Sequence, residues 1–139
     1  MAKSSAGVRA GEVAVGVVNV NSIRNKLPYI RHLIDSDNLS AVGICETWLT
    51  SETPSSFVDL NGFTFFRKDV VGNIKKHGVG LYIKKELNAV SDEVDVANVL
   101  SVFVESWGLH ILVCYRPPSY SPAENDSLMV FFIFVLFSK

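Results

Sequence analysis

Residues 12–49, EVAVGVVNVNSIRNKLPYIRHLIDSDNLSAVGICETWL, decide the fold. The opening EVAVGVVNV (12–20) is a short valine-rich run suited to a strand buried on both faces. Next, Ile23, Leu27, Ile30, Leu33 and Ile34 recur at helical spacing, which predicts an amphipathic helix with Arg24, Arg31 and Asp35 outside. Proline is tolerated only in a helix's first turn, so the helix starts near Pro28 and runs to about Ser36. LSAVGICE (39–46) is a second buried strand. Strand, helix and strand with a short crossover argue for an α/β sandwich rather than an all-β fold.

Further on, the pattern changes to strands with turns. NGF (61–63) is a turn signal opening FTFFRKD, and a polar loop, VGNIKKHG, leads into VGLYIKKEL. VLSVFVES (99–106) and LHILVCYR (109–116) are β-rich runs joined at Trp107-Gly108, which reads as a hairpin. No internal repeat or low-complexity tract interrupts the chain.

With 139 residues, 48% hydrophobic and 19% charged, the chain is sized for one domain with its own core. Thirteen basic against fourteen acidic residues leave a net charge of -1, so no global field draws in nucleic acid or membrane, and local groups must hold a polyanion. Cys45 and Cys114 lie inside strand-like runs and read as buried reduced thiols, which suits an intracellular compartment, nuclear or cytoplasmic. Residues 1–12 read as a disordered leader without a secretory or transit signal. LMVFFIFVLF (128–137) is ten apolar residues, whereas a membrane-spanning helix needs about 20. Its charge-free Phe, Val, Ile and Leu are also the composition of an aggregation-prone β segment.

Chemistry-bearing residues gather where buried strands give way to loops. Glu46 ends an apolar run two places before Trp48, and a carboxylate there must be paired, neutralised or given a metal. Taken residue by residue, each candidate also has a structural reading. Glu46 suits a strand-end carboxylate bonded to a neighbouring turn. Asn19 and Asn21 suit a turn, with Asn21 or Ser22 capping the helix. Tyr115 suits a strand aromatic ahead of the terminator Pro117-Pro118. The lysines of the 70–78 loop suit a solvated rim, and His77 there has no His or Cys at zinc-binding spacing.

Three stretches together carry more: NVNSIRNK (19–26), ICETWLT (44–50) and CYRPPS (114–119). With GVGLYIKKEL between the last two, they resemble the opening motifs of the endonuclease domain of non-LTR retrotransposons, within the endonuclease/exonuclease/phosphatase superfamily that includes apurinic-site endonucleases. That family opens with Asn-x-x-Ser-(Leu/Ile)-Arg-Asn-Lys after a strand, then Glu-Thr-Trp-Leu, a Gly-rich strand and Tyr-Arg-Pro-Pro. Order and spacing match from about residue 13 to about residue 120.

The resemblance implies the N-terminal part of a four-layer α/β sandwich, with residues 13–127 as a partial domain and 128–139 as an apolar tail foreign to the family. It implies a Mg²⁺-dependent phosphodiesterase acting on DNA, with Mn²⁺ as a substitute metal. By similarity Glu46 is the acidic metal ligand, Asn19 helps hold metal and phosphate, and Tyr115 reaches the scissile phosphate. Such oxygen ligands and neutral donors stabilise a pentavalent phosphate without adding negative charge. Arg24, Lys26 and Arg116 are placed for DNA phosphates, while Asn21, Ser22 and Trp48 support the motifs. The family's later Gly-Asp-Phe/Leu-Asn and Ser-Asp-His motifs are missing, and His32, His77 and His110 all precede the Tyr-Arg-Pro-Pro run. The expectation is therefore a truncated endonuclease domain, inactive alone; a non-catalytic nucleic-acid-binding or partner-binding remnant and a fragment of another superfamily phosphatase are the alternatives. DSLMVFF (126–132) stands where the family begins a helix. An inner sheet face left uncovered, with Val102, Val104, Ile111 and Val113, would lead to self-association through that face and the tail.

Overall fold

The opening pattern folds as its periodicity demands. Strand β1 (Val15–Asn19), helix α1 (Leu27–Asp37) and strand β2 (Ala41–Cys45) follow in order. The computed structural model describes residues 14–69, 77–116 and 130–137, the last as a strand. The expected leader 1–12, loop residues 70–76, the prolines at 117–118 and the segment through Asp126 lie outside the described residues.

β1 and β2 pair in parallel, with Val15 opposite Ala41 and Asn19 opposite Cys45. Every β2 residue is buried, so this strand is covered on both faces. β1 instead alternates between half-buried and buried, which corrects the expectation of full burial. The cause is its place at the sheet edge, where Val15 and Val17 pack only partly against the core.

α1 carries its proline in the first turn and buries Ile30, Leu33 and Ile34 against Val18, Val42, Ile44 and Tyr82. Each such side chain contributes about 1.5–3 kcal/mol when fully buried. The helix ends at Asn38, whose φ of 52° is left-handed, and the Leu39 N–H donates to Ile34 O at 3.0 Å. Ile23 is buried as expected, but in the turn before the helix.

The first sheet is completed by β3 (Phe63–Lys68) and β4 (Val79–Lys84), in the order β1-β2-β4-β3. Gly80 permits close approach here, since a Cβ would stand 2.4 Å from the Phe65 ring. Phe65 in turn stacks on Tyr82 at 4.3 Å between centroids. The buried Tyr82 hydroxyl donates to Val58 O at 2.5 Å, which ties the 3₁₀ turn Ser55–Val58 to the sheet.

A second sheet holds β5 (Ala89–Asp92), β6 (Val99–Val104), β7 (Leu109–Arg116) and β8 (Val130–Phe137) in that order, each antiparallel to its neighbour. β6 and β7 form the expected hairpin, closed by a turn over residues 105–108 with Gly108 at φ 62°. β5 carries no strong sequence signal, because its four residues alternate weakly and stay half-exposed. The apolar tail corrects the expectation of a helix start: residues 130–137 are a strand on β7, with Arg116 opposite Val130 and Leu109 opposite Phe137. Its run of Phe, Val and Ile has strand propensity and lacks the polar face an exposed helix needs.

The two sheets pack face to face. Ala41, Leu81 and Ile83 of the first meet Val102, Val104, Ile111 and Val113 of the second, all fully buried. The expectation of an uncovered inner face is thereby overturned, because β1–β4 supply the cover that a second half-domain was thought necessary to give. The described residues thus form three layers: helix, sheet and sheet. Among them no helix is long and apolar enough to cross a membrane.

Candidate functional site

Parallel pairing brings the C-terminal ends of β1 and β2 side by side, and the loops beyond keep pairing. Val20 N donates to Cys45 O at 3.0 Å, Ser22 N to Glu46 O at 2.9 Å and Ile23 N to Thr47 O at 3.0 Å. On the opposite side, Thr47 N donates to Gly78 O at 3.2 Å and Trp48 N to His77 O at 2.9 Å. The Glu46–Trp48 strip is therefore clamped from both flanks. Gly78 is required for this approach: its φ is +106°, and a Cβ would lie 2.5 Å from Thr47 Oγ1.

Left-handed backbone concentrates in these loops. Asn21, Ser22, Asn25, Glu46 and Trp48 have φ values of 51°, 86°, 63°, 60° and 60°. For residues other than glycine such geometry costs on the order of 1–3 kcal/mol and persists where surrounding contacts over-determine it. The Asn19 Oδ1 accepts from Asn21 N at 3.0 Å, and the Ser22 Oγ from Arg24 N at 3.3 Å. Neither Asn21 nor Ser22 caps the helix; Lys26 occupies the cap position, without a side-chain cap bond. Both residues shape the turn instead.

Glu46 is only 7% exposed, and its Oε2 accepts from the Tyr115 hydroxyl at 2.5 Å. Tyr115 lies at the end of β7, so this bond joins the two sheets at one rim. The bond supplies the hydrogen-bond partner that a buried carboxyl group requires. Asn98, which sequence reasoning passed over, and His77, which it weighed as a zinc ligand and set aside, complete the rim. Asn98 accepts from Tyr115 N through its carbonyl at 3.0 Å and from Gly78 N through Oδ1 at 3.3 Å. His77 packs edge-on against Tyr115, with ring centroids 5.8 Å apart. No motif marks Asn98; its left-handed φ of 61° is a conformation asparagine tolerates well. The sequence marked His77 only as a histidine without zinc-binding partners, since nothing local places it beside Tyr115.

The cationic residues divide. Arg24 and Arg116 are exposed. Lys26 donates to Val20 O at 2.7 Å and Ser22 O at 3.2 Å, so its ammonium braces the turn that follows Asn19. Cys45, beside Glu46, is no nucleophile: burial first, and then the Glu46 charge, push its thiol up to about 12. Burial also raises the Cys114 thiol, and both cysteines are free.

Glu46 and Asn19 offer hard oxygen donors, the type that Mg²⁺ accepts. The described residues hold no group of three or more His, Cys, Asp or Glu that could bind a metal. A divalent ion here would thus keep waters or phosphate oxygens in most of its positions, as Mg²⁺ commonly does.

No protein-family profile matches the chain, and no curated protein matches it either. Solved structures do. An apurinic-site endonuclease from Leishmania major, LMAP, aligns with a TM-score of 0.57 at 16% identity, covering 66% of this chain and 35% of its own. The 3′ phosphatase NExo from Neisseria, bound to product DNA hairpin, gives 0.55 at 18% identity, with 73% and 40% covered. An apurinic-site endonuclease from Archaeoglobus fulgidus gives 0.53 at 14%, with 68% and 38% covered.

The chain has the endonuclease/exonuclease/phosphatase fold.

It spans 35–40% of the length of these structures. In the portion of the fold present, both sheets contribute to one rim, where Asn19, Glu46 and Tyr115 end their strands or immediately follow them. The motif-based placement of these three residues on strand ends therefore holds, whereas His77 and Asn98 come to the rim through long-range pairing.

Proposed function

We propose that this chain is part of a metal-dependent DNA endonuclease domain of the non-LTR retrotransposon type, without hydrolytic activity by itself. The observation that supports this most is the Tyr115–Glu46 bond at the joint rim of the two sheets. A packing tyrosine has no need of a buried carboxylate, and a strand-end carboxylate has no need of a tyrosine from the other sheet. Together with Asn19 they present the acidic ligand, the amide oxygen and the neutral donor that the retrotransposon motifs imply. The structural neighbours, two apurinic-site endonucleases and a 3′ phosphatase bound to a DNA hairpin, support this reading.

In this account Glu46 and Asn19 would hold the metal, and Tyr115, whose hydroxyl donates to Glu46 here, would be the neutral donor to the scissile phosphate. A bound Mg²⁺ supplies Lewis-acid stabilisation of phosphate charge. Arg24 and Arg116 hold flanking phosphates without reading sequence. The proton of the attacking water has no acceptor in the set. Asp and His of the Gly-Asp-Phe/Leu-Asn and Ser-Asp-His type are not among these 139 residues. Hydrolysis needs that acceptor as well as the metal.

The test is nicking of supercoiled plasmid with Mg²⁺ by wild type, Glu46→Ala and His77→Ala. The expected result is no nicking above the Glu46→Ala background. Nicking by wild type that is lost in both variants would assign the base to His77 and overturn the inactivity.

A further inference from the structure

Beside the Glu46 rim lies a separate groove of about 580 Å³, between the β1–α1 turn, the loop after β2 and the 3₁₀ turn Ser55–Val58. Its volume falls in the range of small-ligand sites. Three features describe what it would accept. Among the described residues Arg24 is the only charged side chain lining it, so an anion is favoured. Trp48 and Phe57 line it too, and Phe57 is 70% exposed, so the face of its ring is open to a flat partner in the groove. Ser22, Thr47 and Thr53 add hydroxyls at its margin.

Its outer wall is held firmly. Arg67 forms a two-pronged pair with Asp69, at 3.1 Å and 2.7 Å. The same guanidinium donates to Thr50 O at 2.9 Å and Thr53 O at 2.7 Å. The segment leading to Phe57 is thereby pinned to β3, so the wall stands ready-formed. The inner wall is shared with the site, because Ser22 N bonds Glu46 O and Thr47 is the next residue.

We infer that this groove takes an unstacked nucleotide of a DNA single strand, next to the phosphate that the proposed function assigns to Tyr115. Its base lies against Phe57 and Trp48, and its phosphate meets Arg24. The inference rests on the proposed nuclease reading and adds a base-binding subsite to it. Flat aromatic faces bind any base, while a lone cation fixes the backbone, so the contact positions a strand and reads little sequence.

The experiment uses the full chain carrying Trp107→Phe, which leaves Trp48 as the sole tryptophan, since the chain has two, and excites it selectively over the four tyrosines. The probes are pentathymidylate and an abasic strand of equal length and charge. Saturable quenching of Trp48 emission by pentathymidylate is expected. Phe57→Ala should weaken it at least fivefold, and Arg24→Gln should weaken both probes alike. The abasic strand should bind more weakly and ignore Phe57→Ala. Phe57 is so exposed that its loss leaves the fold intact, and a matching circular-dichroism melt confirms this. Absent quenching, or a Phe57→Ala effect below fivefold, or an equal effect on both probes, overturns the groove. Mg²⁺ binding lost in Glu46→Ala without any Phe57 effect leaves the metal reading standing while the groove falls. The opposite pair of results keeps the groove and removes the metal reading.

Discussion

Removing the Tyr115 hydroxyl strikes the joint between the two sheets. Tyr115→Phe keeps a ring that is 5% exposed in the core and deletes only the donor to Glu46. A hydrogen bond to a charged group contributes about 1.5–3 kcal/mol, so Tyr115→Phe should lower stability at pH 7 by about 2 kcal/mol. A neutral acceptor keeps roughly half of such a bond. In a Glu46→Gln background the same change should then cost only about 1 kcal/mol, a coupling of about 1 kcal/mol. Urea unfolding of the four proteins in EDTA reads this directly. With an m-value near 2 kcal/mol per M, Tyr115→Phe moves the midpoint by about 1 M. A coupling under about 0.3 kcal/mol, within the additivity of independent sites, would refute a direct Tyr115–Glu46 bond.

Three further perturbations probe the same framework. Gly78→Ala forces a β-carbon onto φ +106° and to 2.5 Å from Thr47 Oγ1; the expected loss is about 2–5 kcal/mol in urea unfolding, falling to about 1–2 kcal/mol in a Thr47→Ala background, and equal losses in both would reject the clash. Cys45 has its folded thiol raised from 9.0 to about 12. Its neutral form is favoured by folding, so that stability is whole below pH 9 and declines as pH rises from 9 towards 12. Cys45→Ala should flatten the alkaline decline in thermal melts, and an Ellman titration of the native chain should label the half-buried Cys114 before Cys45. β8 ends the second sheet as an uncharged, proline-free edge strand, a template for pairing with another copy. Size-exclusion should show oligomers that Phe134→Lys, opposite Leu112, shifts towards monomer; a wild-type monomer at all concentrations counts against this pairing.

The β-α-β opening was legible because each element carries its own period: valine runs for β1 and β2, and Ile30, Leu33 and Ile34 for α1. Glu46 and Tyr115 were legible as polar ends of apolar runs, with the motifs naming their chemistry. What stayed hidden depends on pairing between distant strands. Full burial of β2 and partial burial of β1 follow from their positions in the sheet, although their compositions are alike. His77 reaches Tyr115 only because β4 runs antiparallel to β2, which sets His77 across from Trp48. Asn98 reaches the rim through the start of β6, beside β7. The motif resemblance marked Lys26 for DNA phosphates but could not show that the turn's strained backbone presents two carbonyls to its ammonium. The tail's uniform apolarity left helix and strand undecided, and the open edge of β7 resolved it.

The central claim is that Glu46 is a metal ligand as well as a partner of Tyr115. Isothermal calorimetry with Mg²⁺, repeated with Mn²⁺, on wild type and Glu46→Ala tests it most directly, with circular dichroism to show that both are folded. The account predicts weak, saturable binding by wild type, reduced in Asn19→Ala and absent in Glu46→Ala. Equal heats from wild type and Glu46→Ala would contradict it and leave Glu46 a purely structural carboxylate.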